Sequence, residues 1–289
     1  MAKSFTVQDF FKRFPDDDAC LEHLMRTRFG EKVECPKCAK IGKFHRVKRH
    51  PAYECAWCGF EIFPMVGTPF ARTHVPLQKW FYAMYLFTTS RHGVPAKELQ
   101  RQLSVTYKTA WRMGHEIRKY MGDVDGNPTL SGHVEVDETY IGGRVKGGKK
   151  KGITGRGANK TIVMGILERD GELFTKVVPD ASRKSLIPPI LENVPEGTRI
   201  SSDEWPPYKV LGGLGYDHRK VEHGAKQYAS GDTHVNTLES FWSILKRAIK
   251  GTHVHVSPKH LPKYLAEFEY RYNLRKQPNL MFQKLLASF

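Results

Sequence analysis

Long apolar runs are absent from the sequence, and its first residues lack the apolar segment of a signal peptide. A helix needs about 20 consecutive, mostly apolar residues to cross a bilayer, and a secretory signal carries an apolar core of about 7–15 residues. We therefore expect neither a membrane span nor secretion. Hydrophobic residues still make up 40% of the 289 positions, which is typical of a globular protein large enough for two or more domains.

Cysteine and acidic residues are both scarce. The five cysteines include two Cys-x-x-Cys pairs, which suit a reducing compartment and a metal site better than a disulfide framework. The 30 acidic residues are outnumbered by 46 Lys and Arg, so the net charge is +16 and the isoelectric point is about 9.6. An excess of this size favours a polyanionic partner, most often nucleic acid, over an ordinary basic surface.

Residues 1–30 are predicted to form a helical lead-in. Phe10 and Phe14 precede Pro15, and the acidic stretch after this proline is a typical helix start. The apolar residues that follow recur at helical spacing and include Cys20. We expect Cys20 to be a small buried hydrophobe and not a metal ligand.

Residues 31–70 contain the most specific motif of the sequence. Two Cys-x-x-Cys pairs are separated by sixteen residues: Cys35, Cys38, Cys55 and Cys58. Such pairs supply four thiolates for one tetrahedral Zn²⁺ ion, as in a zinc ribbon, with short strands expected at 43–47 and 53–54. The ion would be structural, because no coordination position stays open. A redox motif, the alternative, needs one pair at a helix start. Basic residues between the pairs favour contact with DNA phosphates, with protein binding as the alternative.

Residues 71–125 are helical in pattern. Helices are predicted at 77–88, 96–103 and 106–120. The last two are joined by a short turn, which is typical of a helix-turn-helix that reads the major groove of DNA. The side chains expected to face the groove are Tyr107, Lys108 and Arg112. Those expected to pack inside are Ala110, Trp111 and Ile117. A plain helical bundle is the alternative.

A stretch rich in Gly, Asp, Asn and Pro at 122–132 marks a boundary, and residues 130–289 then mix strands with helices. Strands are predicted at 132–137, 161–167, 173–178, 198–202 and 217–222. Helices are predicted at 183–191, 208–211 and 258–275, with one more around Glu239. The strand at 161–167 is apolar on both faces, so we expect it in the middle of a sheet.

The predicted helix around Glu239 carries the candidate chemistry. Glu239 and Lys246 are seven residues apart, so they lie about 20° apart on one helix face. Asn236 precedes Glu239 by one turn, and Trp242 belongs to a neighbouring apolar stripe that can dock the helix on a core. The helix would therefore hold a carboxylate and a lysine in fixed relation. Asn-x-x-Glu also fits a helix N-terminus, with Asn236 as N-cap and Glu239 at the third helical position.

Three motifs carry a resemblance to a known family. They lie at 136–143, at 202–205 with Tyr208, and at 234–242 with Lys246 and Arg247. With the ribbon and the helix at 264–273, they resemble the DDE transposases of bacterial insertion sequences, in the group that has an N-terminal zinc ribbon. The resemblance covers nearly the whole chain. It implies an α/β multidomain protein with a zinc ribbon, a helical helix-turn-helix region and a C-terminal RNase H-like mixed sheet flanked by helices.

The resemblance also implies an activity. A transposase of this kind binds the terminal inverted repeats of an insertion sequence and catalyses DNA strand cleavage and strand transfer. Asp137, Asp203 and Glu239 would hold two Mg²⁺ ions, with Mn²⁺ as a substitute, and Asp137 would bridge them. Some members of the group have Asn in place of Glu, so Asn236 is a second candidate for the third ligand. Lys246 would hold a DNA phosphate near the ions.

Further DNA contacts are expected from basic side chains of the C-terminal region. Those singled out are Lys149, Lys150, Arg156, Lys246 and Arg247. The first three belong to a Gly-rich loop, for which a solvated loop is the alternative. His253 and His255 are expected on an irregular segment after Gly251, in contact with DNA or solvent.

Three other residues carry expectations about packing. Strand alternation places Glu135 on the same side as Asp137, so Glu135 is a candidate neighbour of the metal ions. Trp205 and Trp242 are expected in the core.

The partners implied by the resemblance are double-stranded DNA, both as transposon end and as target, and further copies of the chain. Active DDE transposases synapse two ends, so at least a dimer on DNA is expected. The expected location is the bacterial cytoplasm, in association with the nucleoid. One alternative is a catalytically silent DNA-binding regulator derived from a transposase. Another is an RNase H-type or repair nuclease, which shares the acids but does not need a ribbon and a helix-turn-helix.

Overall fold

A computed structural model describes residues 5–142, 160–221 and 234–287. Its contacts divide the chain into two compact units. The first unit comprises the residues up to Tyr120 together with those from Lys276 onward, and the second comprises Met121–Arg275. This division follows packing, so it differs from the four-part division that composition and motifs suggest.

The first unit begins with two short helices, α1 (Val7–Arg13) and α2 (Asp17–Phe29). The Asp16 carboxylate accepts a hydrogen bond from the N–H of Ala19 at 2.8 Å, which caps α2 as the acidic stretch predicts. Cys20 has no exposed surface, and burial, followed by the charges of nearby aspartates, raises the pKa of its thiol. The expectation of a buried, inert Cys20 is confirmed.

Three short antiparallel strands follow in the order β1 (Phe44–Val47), β2 (Ala52–Cys55) and β3 (Glu61–Ile62). The first two match the strands predicted between the cysteine pairs. The sheet is tied to α2, since Arg46 donates to the Asp18 carboxylate at 2.8 Å. So small a sheet buries little apolar surface, which is the situation in which a metal ion stabilises a fold.

Four helices complete the first unit: α3 (Leu77–Thr89), α4 (Ala96–Leu103), the first part of α5 (Tyr107–Asp125), and α9 (Pro278–Ala287). The predicted bounds of α3 and α4 agree with the observed ones to within one residue, but α5 runs beyond its predicted end at 120. No helix is predicted after 275, yet α9 buries four apolar side chains: Met281, Phe282, Leu285 and Leu286. The turn between α4 and α5 passes through Ser104, which has φ 52° and ψ 51°. The helix-turn-helix interpretation stays a prediction.

The second unit contains a mixed five-stranded sheet, as predicted. Its strands are β4 (His133–Gly142), β5 (Lys160–Glu168), β6 (Leu173–Val178), β7 (Arg199–Ser202) and β8 (Asp217–Lys220). The spatial order is β6-β5-β4-β7-β8. The β6–β5 and β5–β4 pairs are antiparallel, and the β4–β7 and β7–β8 pairs are parallel. The RNase H-like assignment of this sheet stays a prediction.

Helices pack on both faces of this sheet. One face, which includes Val136 and Met164, packs with α6 (Arg183–Asn193) in one hydrophobic cluster. The other face packs with α7 (Asn236–Ala248) and α8 (Leu261–Asn273) in a second cluster. Consecutive residues of β5 alternate between the two clusters, so the expectation of a strand buried on both faces is confirmed.

None of the helices in the described part of the chain is long and apolar enough to cross a membrane.

Candidate active site and zinc centre

Two aspartates lie side by side on adjacent parallel strands, Asp137 within β4 and Asp203 directly after the end of β7. The prediction that the first strand ends at Asp137 is wrong, because β4 stays paired with β5 as far as Gly142. Val136 of β4 pairs with Ser202, the last residue of β7. In a parallel ladder the next residue on each strand lies level with its neighbour, so Asp137 is level with Asp203. Beyond Ser202 the chain leaves the sheet, and Asp203 is the first residue after it. Both aspartates are half-buried.

The surroundings of Asp137 disfavour its negative charge. Burial, then the charges of Glu138 and Asp203, raise the pKa of Asp137 to about 7. The indole N–H of Trp242 donates to Oδ2 of Asp137 at 3.0 Å, which opposes the shift. Carboxylates that disfavour one another's charge in this way are the groups that a bound cation stabilises. Asp137 and Asp203 are thus brought together with the chemistry of a cation site.

Glu138 is part of the same group, although the sequence marks it only as an adjacent acid. The hydroxyl of Tyr208 donates to its Oε2 at 2.9 Å. Burial raises the pKa of Glu138, and the charge of Asp203 adds to this while the Tyr208 hydrogen bond opposes it. Strand alternation hides the residue from sequence reasoning, because Glu138 points to the opposite face from Asp137. The sequence signal for Glu138 is Tyr208, which belongs to the motif at 202–205 and follows Ser202 by six residues.

Asp203 begins the segment that leaves the sheet. Its Oδ1 accepts a hydrogen bond from the N–H of Trp205 at 3.0 Å, which turns the chain into a short 3-10 helix, Pro206–Val210. Trp205 itself is 40% exposed and donates its indole N–H to the carbonyl of Ala181. The expectation that Trp205 lies in the core is wrong, because the turn at Asp203 directs it outward. The same expectation is confirmed for Trp242, which is buried.

The helix α7 lies directly over this site. A Cβ atom at Gly165, the residue that pairs with Asp137, would come within 2.6 Å of Trp242 and 2.8 Å of Leu238. Only glycine allows α7 to approach the sheet so closely at this point. The apolar stripe predicted for this helix therefore docks it next to Asp137.

The candidate catalytic side chains of α7 face outward. Four are exposed: Asn236, Glu239, Lys246 and Arg247. Glu239 precedes Trp242 by one helical turn, and the Trp242 indole contacts Asp137. Glu239 is therefore the nearer of the two third-ligand candidates to Trp242 along the helix, and Asn236 lies a further turn away.

The capping interpretation of Asn236 and Glu239 is wrong. The helix begins at Asn236, its N-cap residue is Val235, and no side chain of that residue caps it. The buried Glu135 of β4 serves the helix start instead. Its Oε2 accepts from the N–H of Leu238, and its Oε1 accepts from the hydroxyl of Thr237, both at 3.0 Å.

Glu135 also binds Arg169, which follows β5. Arg169 Nε donates to Oε1 of Glu135 at 2.8 Å, and its Nη2 donates to the carbonyl of His234 at 2.8 Å. Glu135 is fully buried, and the side chain of Arg169 is 17% exposed. The network joins β4, the end of β5 and the start of α7. Glu135 does lie on the Asp137 side of β4, but its oxygens are occupied in holding α7, which makes it a positioning residue.

The structure does not gather the three predicted ligands around one point. Within the described ranges, the four cysteines are the only group of three or more His, Cys, Asp or Glu ligand atoms that all lie within 4.8 Å of one another. Asp137 and Asp203 are brought together with Glu138, and Glu239 is placed on the neighbouring helix. The assignment of Asp137, Asp203 and Glu239 to metal ions stays a prediction.

The zinc centre is built from two equivalent turns. In each, an N–H four residues after the first cysteine donates to that cysteine's carbonyl: Ala39 to Cys35 at 2.9 Å, and Gly59 to Cys55 at 3.0 Å. Sulfur atoms of the two turns approach in pairs, 3.5 Å from Cys35 to Cys58 and 3.8 Å from Cys38 to Cys55. Four thiol ligands so arranged can hold one tetrahedral Zn²⁺ ion. The predicted metal-binding cysteine cluster is confirmed.

The first turns of α5 present the side chains predicted for DNA contact. Tyr107, Lys108 and Arg112 are exposed, whereas Ala110 and Ile117 are buried as expected. Trp111 is 38% exposed and stacks on His115 with ring centroids 3.9 Å apart. The expectation that Trp111 packs inside is therefore wrong: it shares the outward face of the helix with Lys108 and Arg112.

The three basic residues predicted on the Gly-rich loop, Lys149, Lys150 and Arg156, lie outside the described residues.

Comparisons with known proteins agree on one family. A model of the ISXO2-like transposase domain matches residues 129–273, and a model of the transposase zinc-ribbon domain matches residues 15–61. A relative described as an uncharacterized protein in transposable element ISH50 of Halobacterium salinarum is 28% identical over 283 residues, which is 92% of this chain and 94% of the relative. An uncharacterized transposase-like protein of Haemophilus influenzae is 28% identical over 120 residues, which is 40% of this chain and 96% of the relative.

Among solved structures, a chain of a pre-cleavage Mos1 transpososome is 14% identical, and the match covers 72% of this chain and 78% of that one. The TM-score is 0.29, which is too low to carry an argument.

Proposed function

Since the chain belongs to the ISXO2-like transposase family, with a transposase zinc ribbon in its N-terminal part, we propose that it binds the terminal inverted repeats of an insertion sequence and cleaves and joins DNA strands with two divalent metal ions. The family is one of polynucleotidyl-transferase-type enzymes. The observation that carries the proposal is the pair Asp137, within β4, and Asp203, directly after the parallel strand β7. Burial and the charges of Glu138 and Asp203 raise the pKa of Asp137 to about 7.

The donor set at this position fits hard divalent cations. Carboxylate oxygens are the ligands that Mg²⁺ and Mn²⁺ prefer. Two such ions, when bound, activate the attacking oxygen and stabilise the leaving oxygen of a phosphodiester. Asp137 would bridge the ions, Asp203 would hold one of them, and a residue of α7 would hold the other.

Glu239 is the better candidate for the α7 ligand. It precedes Trp242 by one turn, and Trp242 donates to Asp137, so Glu239 lies closer than Asn236 along the helix to the turn that contacts Asp137. Asn236 stays the alternative. Lys246 follows Glu239 by two turns on the same helix and is exposed, which supports the proposal that it would hold a DNA phosphate.

Two reactions would take place at this site. A water molecule attacks the phosphodiester at the transposon end and releases a 3′-hydroxyl. That hydroxyl then attacks a phosphodiester of target DNA, which forms one bond and breaks another without an external energy source. In both steps Asp137 and Asp203 would hold the divalent cations, which would stabilise the charge on the attacking and leaving oxygens.

Recognition of the element's ends is assigned to the first unit. Exposed Tyr107, Lys108 and Arg112 lie on the first turns of α5, where a helix of this kind reaches base edges and phosphates. The zinc ribbon would add phosphate contacts. Synapsis of two ends calls for at least a dimer on DNA.

The test is a gel assay with a labelled duplex that carries the end of the protein's own element. We expect wild type to bind the duplex and, with Mg²⁺ or Mn²⁺, to nick it at the end. Asp137→Asn should bind equally well and not cut, because it keeps the size of the side chain but loses the charge. Glu204→Gln is the matched control, since Glu204 is an exposed acid one residue after Asp203, and it should cut like wild type.

The other outcomes are equally clear. Loss of binding with cleavage retained in Asp137→Asn would contradict the assignment. Binding by wild type without cleavage of any end sequence would identify a catalytically silent regulator. Glu239→Gln and Asn236→Ala decide the third ligand, since only the variant at the true ligand should lose cleavage while keeping DNA binding.

A further inference from the structure

The segment after α7 departs twice from regular geometry. Ile249–His253 forms a π-helical turn, and Val254, which follows it, has φ 64° and ψ −52°. The N–H of His255 donates to the carbonyl of His253 at 2.7 Å, so the three residues close a γ-turn with Val254 at its centre. A γ-turn of this hand is rare and strained, and positive φ is most unfavourable for a β-branched residue.

Burial of the side chain does not compensate for this conformation. Val254 is 79% exposed, the largest exposed fraction among the large apolar side chains of the described residues. The turn is nevertheless held firmly on both sides. Ile249 and Val256 are both buried, and the His253 ring packs edge-on against Tyr264 with centroids 4.8 Å apart. An apolar side chain is thus held out into solvent by a well-anchored base.

The chain around Val254 has a single sign of charge. Between Glu239 and Glu267 the sequence contains no acidic residue, and it contains five Lys or Arg. Four of these basic side chains are exposed: Lys246, Arg247, Lys250 and Lys259. Positive charge of this density suits the phosphates of a DNA duplex.

Strained backbone conformations are found mainly where function requires them, and π-helical turns share this tendency.

We propose that Val254 is an apolar wedge that enters a base step of the DNA duplex bound along α7. Proteins that kink DNA insert an apolar side chain between base pairs and hold the phosphates on either side with basic residues. The γ-turn gives Val254 the projection that this needs, and the neighbouring lysines supply the phosphate contacts. The inference rests on the proposed function, because it takes the bound duplex from it.

The helix sets the position of the wedge. Ile249, where the turn that carries Val254 begins, follows Glu239 by ten positions, which is about 15 Å along a helix axis. At 3.4 Å per base step, this corresponds to about four to five steps from the phosphodiester that is cut. Unstacking at that position would bend the duplex between the wedge and the catalytic aspartates, which would ease the entry of the scissile phosphate.

The experiment uses the full chain and end duplexes that carry a single 2-aminopurine at successive positions near the cleavage point. Fluorescence of this base rises when it is unstacked. We expect wild type to raise the fluorescence about five-fold or more at one position, about four to five steps from the cut. Val254→Leu should keep this signal. Val254→Gly should reduce it at least three-fold and slow cleavage, while its thermal midpoint stays equal to or above that of wild type, because glycine accepts positive φ.

Asp170→Gly is the matched control, since Asp170 is another exposed non-glycine residue with positive φ (57°) in the same unit, on the β5–β6 turn. It should leave fluorescence and cleavage unchanged. The inference is overturned if wild type cuts but gives no signal at any position, or if Val254→Gly gives the wild-type signal and rate. If wild type neither binds nor cuts the duplex, the proposed function itself is wrong. If wild type binds and cuts the duplex without a fluorescence signal, only the wedge proposal is wrong.

Discussion

Replacing Arg169 by methionine should loosen the attachment of α7 to the sheet. Arg169 donates to the fully buried Glu135 and to the carbonyl of His234, each at 2.8 Å. Methionine keeps most of the length of the side chain but removes the guanidinium, so Glu135 loses its permanently charged partner. The His234 ring, with Nδ1 3.3 Å from Glu135 Oε1, is charged only when it is protonated. Removal of one member of a buried ion pair destabilises a protein by ~3–5 kcal/mol, because the other charge is left uncompensated.

The magnitude can be expressed as a melting shift. For a unit of the size of Met121–Arg275, ~1 kcal/mol lowers the thermal midpoint by about 2–4 °C, so Arg169→Met should lower it by ~6–20 °C. Glu135 keeps its hydrogen bonds from Thr237 and Leu238, which favours the lower half of this range. The double variant Glu135→Gln with Arg169→Met should recover part of the loss, because no buried charge then remains without a partner.

The assay is thermal unfolding followed by circular dichroism at neutral pH. Arg219→Met is the matched control: Arg219 pairs with Asp217 at 2.8 Å, but both side chains are about half exposed. An exposed pair contributes ~0–1 kcal/mol, so this variant should melt close to wild type. The reasoning is refuted if Arg169→Met melts within about 2 °C of wild type, or if the double variant is less stable than Arg169→Met alone.

Two further predictions concern buried groups away from the active site. Burial, with a contribution from Asp125, raises the pKa of Glu269 from 4.5 to about 8, so wild type should lose stability as pH rises through this interval. Glu269→Gln should remove that loss, so at pH 8 its free energy of unfolding should exceed that of wild type by up to ~4 kcal/mol, and at pH 4 it should not. Denaturant unfolding at both pH values measures this difference. If the stability of the variant and of wild type depends on pH in the same way, the prediction is wrong. Purified protein should contain one zinc ion per chain by elemental analysis. Cys58→Ser should lose the ion together with the protease resistance of residues 31–70, whereas Cys20→Ala should keep both. Zinc retained in Cys58→Ser would contradict the four-thiolate site.

The zinc centre was predictable in full because its information is local. The spacing of Cys35, Cys38, Cys55 and Cys58 defines the ligand set, and each pair forms its own turn. The position of Asp203 was predictable for a similar reason, since it directly follows a run of strand-forming residues, whereas the strand of Asp137 continues to Gly142. The closeness of the two aspartates then follows from the parallel pairing of β4 with β7.

The partners of the site residues were not predictable, because they depend on contacts between distant segments. Nothing local shows that Glu135 holds the start of α7, or that Tyr208 donates to Glu138 across seventy residues of chain. The sequence predicts Trp111 and Trp205 in the core, yet helix register directs Trp111 outward and the turn at Asp203 directs Trp205 outward. The helix α9 is the exception: its four buried apolar residues recur at helical spacing, so local pattern does indicate it.

The most direct test of the metal site is Mn²⁺ binding to the complex of the full chain with its element's end, followed by electron paramagnetic resonance. The account predicts two Mn²⁺ ions per active site in wild type. Asp137→Asn should lose this binding while it retains both DNA binding and zinc. Undiminished Mn²⁺ binding by Asp137→Asn, or strand cleavage by wild type in the presence of a chelator that removes divalent ions, would contradict it.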